Sequence, residues 1–469
     1  MKGCLGKVHY LQEKFAEIGL TIPEILLPNA EVDLEKWAVV ACDQFTSERE
    51  YWRQVKDYVN EQPSTLHLIF PEVYLEDPDT EERIAKIRQH MTNYLASNTF
   101  CPQPPGFIYV DRRTPYTYSR KGLIVAVDLE HYDYRPEAKT LIRATEGTIL
   151  DRLPPRIKIR EGAPVELPHI MVLIDDPEKT VIEPLSAEVD ANNLQKLYDF
   201  DLMLNSGHLR GYLVNDERLL TGVLRALQRL TEPAIYRAKY QVEEPPLLFA
   251  VGDGNHSLAT AKAVWERIKE AHTRANKVNE DIMNHPARYA LVELVNLYDE
   301  GLVFEPIHRV LFSVDPTAVL EGMKNYFSCE IQYMNGVNIP EYLKTTKQTF
   351  PDDCACRIHL IGFVSSQGAG VIKVQNPAFN LEVGTLQSFL DDYLQNNKSG
   401  KIDYIHGDEV VTTLGSQPGN LGFYLPVMDK RDLFTTVILD GALPRKTFSM
   451  GEAVEKRFYL ESRIISQLR

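Results

Sequence analysis

The chain has 469 residues, of which 44% are hydrophobic and 25% charged, and its formal net charge is -15. This composition is that of a soluble globular protein, which excludes a disordered or fibrous chain, and the length predicts about three domains. The negative charge argues against general binding to duplex nucleic acid or anionic lipid, although local basic spots can still bind phosphate.

The chain contains no apolar run near the roughly 18 to 20 residues that a membrane-spanning helix needs, and no signal peptide is recognised. We therefore expect a cytoplasmic protein. Its six cysteines include no CxxC pair, which argues against a structural zinc site and favours reduced thiols. Cys354 and Cys356 fit either a redox pair or two positions on one face of a strand.

Helices and one buried strand are predicted near the N-terminus. The apolar segment Trp37–Cys42 is typical of a strand, and the Asp43 that follows either opens onto a cleft or only forms a turn. Ser47 is a candidate cap for the next helix. The other helices predicted here are Leu11–Ile18 and Glu81–Asn98.

Strand patterns dominate from about residue 107 to residue 250. The predicted strands are Phe107–Val110, Gly122–Val127, Thr140–Ala144, His169–Ile174 and Leu209–Val214. The predicted helices are Ala191–Phe200 and Glu217–Leu230. Ala287–Leu297 is predicted to be buried, and alternating strands after residue 313 surround a helix at Leu386–Gln395.

These elements predict an α/β (α+β) protein with a mixed sheet and several domains. The expected regions are an N-terminal α/β region at 1–125, a core at 126–312 and a C-terminal α+β region at 313–469. The alternative is that the three regions form one integrated unit.

The segment Arg143–Arg156 combines a carboxylate, hydroxyl groups and several cations within one short span. Guanidinium groups neutralise phosphate charge and a carboxylate accepts a hydroxyl proton, so the segment suits a phosphorylated substrate. Glu146 is the candidate base, and Arg143, Arg152 and Arg156 are candidate phosphate ligands. The alternative is a solvated loop held by salt bridges.

A second segment, residues 252–257, connects an apolar strand to a helix. Gly252 and Gly254 allow positive φ angles and a tight turn, and the first turn of a helix from Leu258 presents N–H groups that attract anions. The loop is therefore predicted to bind phosphate, unless it is only a capped strand-to-helix turn.

Individual side chains in and beyond this loop have two interpretations each. Asn255 or Ser257 is expected to cap the helix and contact the phosphate. His256 is expected to hold a phosphate oxygen or transfer a proton, or else to be structural. Asp253 is expected to bind Mg²⁺ or orient a hydroxyl, or else to bond its own backbone. Lys446 is expected to close over the phosphate site, or else to be a solvated surface residue.

Five segments of the chain together carry a family resemblance. They are Trp37–Ser47, Arg143–Arg156, Gly252–His256, Val295–Arg309 and Leu443–Thr447. In this order they resemble the bacterial and archaeal family known as domain of unknown function 1015. The Asp-Gly-x-His loop of that family is similar to the phosphate loop of the ParB and sulfiredoxin superfamily, which includes free-serine kinases. The resemblance implies a ParB/sulfiredoxin-like core at 126–312, with Asp253, Gly254 and His256 in the phosphate loop and Glu146 as the base.

Two positions depart from the superfamily pattern. Ser257 stands where the superfamily has an arginine, and Asn255 stands where sulfiredoxin has its cysteine. The second departure argues against peroxiredoxin repair. Ser257 in place of the arginine leaves the phosphate site without a cation, and we expect Arg152, Arg156 or Arg210 to supply one.

The predicted function is transfer of a phosphoryl group from a nucleotide or pyrophosphate, with Mg²⁺, to a small hydroxylated metabolite, serine being one candidate. One alternative is a phosphatase acting on a small molecule such as phosphoserine. The other is a nucleotide-gated binding or switch protein without metabolite chemistry. The expected partners are the substrate and the phosphate donor, and neither a membrane nor nucleic acid is expected.

Overall fold

The computed structural model of the protein describes residues 2–275, 281–327, 329–334, 336–347 and 357–467. They form two compact units. Unit 1 consists of Met1–Leu302 and Gly451–Arg469, and unit 2 consists of Val303–Met450. Cys354 and Cys356 lie outside the described residues, so the interpretation of this pair stays a prediction.

The division into units differs from the regions expected from the sequence. The position near 125 lies inside a strand, Arg120–Asp128, whose neighbours on both sides belong to one sheet. The position near 312 is the end of a strand, His308–Phe312, that lies inside unit 2. Residues 451–469 return to unit 1, which makes that unit discontinuous in sequence.

Unit 1 contains helices and strands in alternation. Its helices are α1 (Lys2–Glu17), α2 (Leu34–Trp37), α3 (Arg49–Val59), α4 (Thr80–Ala96), α5 (Leu153–Arg160), α6 (Pro184–Asp190), α7 (Glu217–Leu230), α8 (Pro233–Tyr240) and α9 (Asn255–Arg274). Its strands are β1 (Leu20–Thr21), β2 (Leu26–Pro28), β3 (Val39–Val40), β4 (Phe100–Pro102), β5 (Phe107–Arg113), β6 (Arg120–Asp128), β7 (Tyr132–Asp133), β8 (Ile142–Ala144), β9 (Val165–Glu166), β10 (Met171–Ile174), β11 (Gln195–Asp201), β12 (His208–Val214), β13 (Phe249–Asp253), β14 (Tyr289–Asn296), β23 (Phe458–Tyr459) and β24 (Arg463–Ile464).

The main sheet of unit 1 has ten strands among the described residues, in the order β11-β12-β5-β6-β14-β10-β13-β8-β7, with β1 also paired to β6. Its pairs are both parallel and antiparallel, which confirms the predicted mixed sheet of an α/β protein. On one side of β13 the neighbour β8 is parallel, and on the other side β10 is antiparallel. The ends of β8 and β13 therefore meet the start of β10 at one edge of the sheet.

Apolar side chains cover both faces of this sheet. Along β5, Phe107 and Tyr109 join one core cluster, whereas Ile108 and Val110 join the other. This alternation is the two-residue period of a strand. The first cluster includes side chains of α1, α7 and α9, and the second includes side chains of α3 and α4. The central strands are therefore buried on both faces, and they appear in the sequence as continuous apolar runs.

One predicted helix is a strand. The prediction of a helix at Ala191–Phe200 is wrong, because Gln195–Asp201 forms β11 and pairs with β12. β11 lies at the edge of the sheet, and Tyr198 is its one buried residue. A strand with so little burial lacks the regular alternation of apolar and polar residues that identifies strands in a sequence.

The C-terminal segment Gly451–Arg469 completes the core of unit 1. Within it, β23 pairs with β3 and β24 pairs with β9. Arg457 donates hydrogen bonds to the carboxylates of Glu293 and Glu461, and all three side chains are at most 4% exposed. A buried cation thus joins the central strand β14 to the C-terminal segment.

Unit 2 contains a six-stranded antiparallel sheet among its described residues, in the order β17-β19-β18-β21-β16-β20, and a separate pair formed by β15 and β22. Its elements in chain order are β15 (Phe304–Pro306), β16 (His308–Phe312), α10 (Pro316–Phe327), β17 (Glu330–Tyr333), α11 (Ile339–Lys347), β18 (Ile358–Ser365), β19 (Gly368–Gln375), α12 (Glu382–Asn396), β20 (Lys401–Ile405), α13 (Asp408–Gly415), β21 (Asn420–Tyr424), α14 (Lys430–Leu439) and β22 (Phe448–Met450). In the described part of the chain, none of the helices combines the length and apolar character that crossing a membrane requires.

Candidate functional site

The junction between β13 and α9 is a tight turn made by one glycine. β13 ends at Asp253, Gly254 has a φ of 77°, and α9 begins at Asn255. A Cβ atom on Gly254 would lie 3.0 Å from the Cα atom of Ile170, so both the φ angle and the available space favour glycine. Gly252 lies inside β13 without a positive φ, so the conformation predicted for it is wrong.

The first turn of α9 has no side-chain cap. Gly254 is the N-cap residue, and Asn255 and Ser257 lie inside the helix, so the prediction that one of them caps it is wrong. The Asn255 side chain is buried, at 8% exposure, and its Oδ1 accepts no hydrogen bond from the described residues. The N-terminus of a helix carries a partial positive charge. The start of α9 therefore combines an attraction for anions with a buried acceptor that lacks a donor.

Asp253 forms an ion pair with a lysine of the C-terminal segment. Its Oδ2 lies 3.2 Å from Nζ of Lys456, and its Oδ1 accepts a hydrogen bond from the N–H group of Gly254 at 2.9 Å. Both carboxylate oxygens are in use, one of them with a cation. Among the described residues, no group of three or more His, Cys, Asp or Glu side chains could hold a metal ion. Both oxygens of Asp253 therefore have partners among the described residues, and Mg²⁺ binding by Asp253 stays a prediction.

Two hydrogen bonds bring the segment after β8 to this junction. Oγ1 of Thr145 donates to the carbonyl oxygen of Val251 at 2.6 Å, and the N–H group of Ile149 donates to Nε2 of His256 at 3.3 Å. Glu146 lies between these two attached residues and is half-buried. The parallel pairing of β8 with β13 therefore places the predicted base and the predicted phosphate loop in neighbouring segments.

A cavity of about 140 Å³ adjoins the first turn of α9. Most of its lining is apolar. Residues from several separate segments supply the polar part of the lining, which includes Cys42, Glu72, Arg156, His169, Ser257 and Tyr459. Two of these, Arg156 and Ser257, were predicted from the sequence as site residues.

His169 connects the polar groups of this cavity. Its Nε2 lies 2.9 Å from Oγ of Ser257 and 3.6 Å from Oδ2 of Asp43, and its Nδ1 lies 2.8 Å from the hydroxyl oxygen of Tyr459. The Tyr459 hydroxyl donates to Sγ of Cys42 at 3.1 Å. Polar contacts thus run without interruption from Ser257 through His169 and Tyr459 to Cys42.

The surroundings of His169 favour its protonated form. Burial by itself lowers the pKa of His169. The carboxylates of Asp43, Asp253 and Glu72 together raise it by more than burial lowers it, so the pKa lies above the usual 6.5. Burial raises the pKa of Asp43, but the charges and hydrogen bonds of His169, Gln44 and Lys456 together lower it by more, so the pKa of this carboxyl lies below its usual 3.8. A histidine whose protonated form is favoured therefore lies beside Ser257.

Arg156 lies in the wall of the cavity with its charge already paired. Its guanidinium donates to a carboxylate oxygen of Glu72 and, at 2.7 Å, to the carbonyl oxygen of Arg152. Burial raises the pKa of Glu72, although the charge of Arg156 opposes the rise. The side chain of Arg152 is exposed and does not line the cavity.

Of three other predicted phosphate ligands, two lie elsewhere in unit 1 and the third belongs to unit 2. Arg143 donates at 2.8 and 2.7 Å to two backbone carbonyl groups that precede β8 and β13, at the opposite ends of these strands. Arg210 lies on β12, which four other strands separate from β13, and pairs with Asp111 at 2.5 Å. Lys446 is an exposed residue of unit 2.

His169, Tyr459 and Lys456 were not predicted as site residues from the sequence. His169 was predicted only as the first residue of the strand His169–Ile174. In the structure it precedes β10, and the antiparallel pairing of β10 with β13 brings it to α9. Tyr459 belongs to β23 and Lys456 lies two positions before it. This strand has only two residues, so it shows no periodicity in the sequence.

The family model described as "Protein of unknown function (DUF1015)" matches residues 25–393. No curated protein matches the chain. One similar solved structure is a conserved hypothetical protein from Pyrococcus furiosus, with 10% identity, a TM-score of 0.35, and coverage of 71% of this chain and 93% of that chain. A free serine kinase variant in complex with ADP has 9% identity, a TM-score of 0.37, and coverage of 72% and 91%. SbnI with a C-terminal truncation, from Staphylococcus aureus, has 7% identity, a TM-score of 0.34, and coverage of 70% and 83%.

Proposed function

We propose a function for this chain, which belongs to the DUF1015 family of proteins of unknown function: it transfers a phosphoryl group from a nucleotide or pyrophosphate to a small hydroxylated metabolite. The observation that carries the proposal is the uncapped start of α9, where the turn at Gly254 is followed by the buried Asn255. The proposed partners are the phosphate donor and the acceptor, and the proposed location is the cytoplasm.

Phosphate binding at the start of α9 rests on charge and geometry. Backbone N–H groups at a helix N-terminus point towards the ligand, and the helix dipole favours negative charge. Lys456 adds an ammonium group with three donors, one of which faces Asp253. His169 adds a second cation through its contact with Ser257. These groups take the place of the arginine that the sequence lacks at position 257.

Phosphoryl transfer needs an acceptor for the proton of the attacking hydroxyl. In the proposed step the acceptor oxygen forms a bond to phosphorus, the bond between phosphorus and the leaving oxygen of the donor breaks, and Glu146 takes the hydroxyl proton. Glu146 is suited to this role because hydrogen bonds attach its segment to both sides of the junction. Thr145 donates to Val251 on β13, and Ile149 donates to His256 on α9. Mg²⁺ carried by the phosphates of the donor would neutralise part of their charge in this step.

The first experiment measures thermal unfolding with and without phosphate compounds. Nucleotides, pyrophosphate and phosphorylated amino acids are added to the full-length protein, with sodium chloride at equal ionic strength as the control. A ligand present at 100 times its Kd is expected to stabilise the protein by about 2.7 kcal/mol. The absence of a shift with every phosphate compound would contradict the proposal.

The second experiment separates transfer from its two alternatives. The protein is incubated with a donor and a panel of hydroxylated acceptors, serine included, and the products are identified by mass spectrometry. A phosphorylated acceptor supports the proposal. Release of phosphate from phosphoserine without transfer indicates a phosphatase, and nucleotide binding without any modified metabolite indicates a switch protein.

A further inference from the structure

The lining of the cavity beside α9 is mostly apolar, and both arginines in it form ion pairs with carboxylates of the same lining. Arg156 pairs with Glu72, and Arg160 pairs with Glu166, so both arginines of the lining have carboxylate partners. The apolar part of the lining includes Leu68, Ile69, Phe70, Met91 and Leu291. This surface is suited to a hydrocarbon group rather than to a charged ligand.

The size of the cavity limits what it can hold. Its volume is about 140 Å³, and an apolar cavity of about 150 Å³ in another protein accommodates benzene. A six-membered ring or a branched chain of similar size fits this space. Free serine fits it poorly, because its ammonium and carboxylate groups would lose their hydration against an apolar wall.

Ser257 belongs both to the cavity and to the predicted phosphate site. It lies in the first turn of α9, and its hydroxyl, 2.9 Å from Nε2 of His169, lines the cavity. A ligand with its hydrocarbon body in the cavity and its hydroxyl at Ser257 would therefore present that hydroxyl close to a phosphate at the helix start.

We propose that this cavity binds the phosphoryl acceptor, and that the acceptor is an alcohol with an apolar body of ring or branched-chain size, held at its hydroxyl by Ser257 and His169. The inference rests on the proposed function and narrows its substrate class. It favours an uncharged or largely apolar alcohol over serine as the acceptor.

The test uses benzyl alcohol and L-serine as probes, titrated into the full-length protein and followed by ligand-observed NMR. Benzyl alcohol is expected to bind saturably, and serine at the same concentration is not. Ala163→Leu adds three carbon atoms to the cavity lining and should weaken benzyl alcohol binding more than tenfold. Ala263→Leu makes the same change on α9 outside the lining and should leave binding within twofold.

A second variant keeps the test decisive if Ala163→Leu fails to fold. Wild-type protein is expected to bind benzyl alcohol more tightly than toluene, and Ser257→Ala should abolish that preference. The inference is overturned if serine binds and benzyl alcohol does not, if a folded Ala163→Leu protein binds benzyl alcohol unchanged, or if Ser257→Ala keeps the preference. Pyrophosphate binding is measured with the same proteins, and wild-type protein that binds pyrophosphate but not benzyl alcohol rejects this inference alone.

Discussion

Oγ of Ser257 and Nε2 of His169 lie 2.9 Å apart, although 88 positions separate the two residues in the sequence. The contact forms because β10 runs antiparallel to β13, so that the residues before β10 lie beside the turn that follows β13. Through this contact, one buried histidine joins the lining of the cavity to the first turn of α9.

Pyrophosphate binding is expected to weaken as the pH rises. The pKa of His169 is raised above 6.5 in the folded protein, so its positive charge is fully present below that value and is lost as the pH passes the raised pKa. His169→Gln removes the titrating ring and should flatten the part of the pH profile above about pH 6.5. Isothermal titration calorimetry of both proteins across the pH range checks this. Protonation of pyrophosphate itself affects both proteins equally, so the difference between the two profiles belongs to His169. Parallel profiles would contradict the prediction.

Gly254→Val should weaken phosphate binding more than tenfold, which corresponds to about 1.4 kcal/mol. Valine is strained at a φ of 77°, and its Cβ would lie 3.0 Å from Ile170, so the first turn of α9 must shift. Gly222→Val is the matched control, because Gly222 lies on α7 with no heavy atom within 4 Å of the added Cβ. Equal pyrophosphate affinity in the two folded variants would return the loop to a purely structural role.

Glu146→Gln should lower turnover by roughly 10²- to 10⁴-fold while changing acceptor affinity little. Glutamine keeps the size and hydrogen-bonding capacity of the side chain, but it cannot take a proton from the acceptor hydroxyl. The measurement is the rate of product formation by mass spectrometry, with Glu137→Gln, an exposed carboxylate, as the control. Full activity of Glu146→Gln would reject this residue as the base.

Lys456→Met should weaken pyrophosphate binding, whereas Lys446→Met should not. Lys456 is largely buried, with 11% of its side chain exposed, and its ammonium lies 3.2 Å from Asp253 at the start of α9. Lys446 is exposed and belongs to unit 2. Calorimetric titration of both variants distinguishes the two lysines. A larger effect of Lys446→Met would favour the role that the sequence suggested for it.

Arg457→Ala should destabilise unit 1 by about 3–5 kcal/mol, because it leaves the buried carboxylates of Glu293 and Glu461 without their cation. Arg210→Ala is the control, since its pair with Asp111 is 45% exposed on the arginine side and should contribute at most about 1 kcal/mol. Urea unfolding of the two variants gives the comparison. Similar losses of stability would show that the buried network contributes no more than a surface pair.

The sequence predicted the parts of the fold that local patterns determine. Continuous apolar runs identified central strands such as β5 and β6, and the glycine at position 254 identified the turn before α9. The edge strand β11 escaped because an edge strand needs few buried residues. The mixed sheet was predicted, but its strand order was not, since the order depends on contacts between distant segments.

The candidate site shows the same limit. The Glu146 segment and the loop before α9 were each recognised from their own residues, but their proximity depends on the pairing of β8 with β13. Arg210 was chosen for its charge alone, and it lies on another part of the sheet, where Asp111 neutralises it. His169 and Lys456 carry no local signal, and their positions follow from tertiary pairing.

The discontinuity of unit 1 imposes an order on its biosynthesis. A ribosome translates all of unit 2 before it reaches Arg457, so Glu293 emerges from the exit tunnel long before its guanidinium partner exists. The segment that follows supplies Lys456 and Tyr459 to the surroundings of α9. Unit 2, whose sequence is continuous, can mature on the nascent chain, whereas the cavity and the phosphate loop acquire their full set of contacts only late in translation.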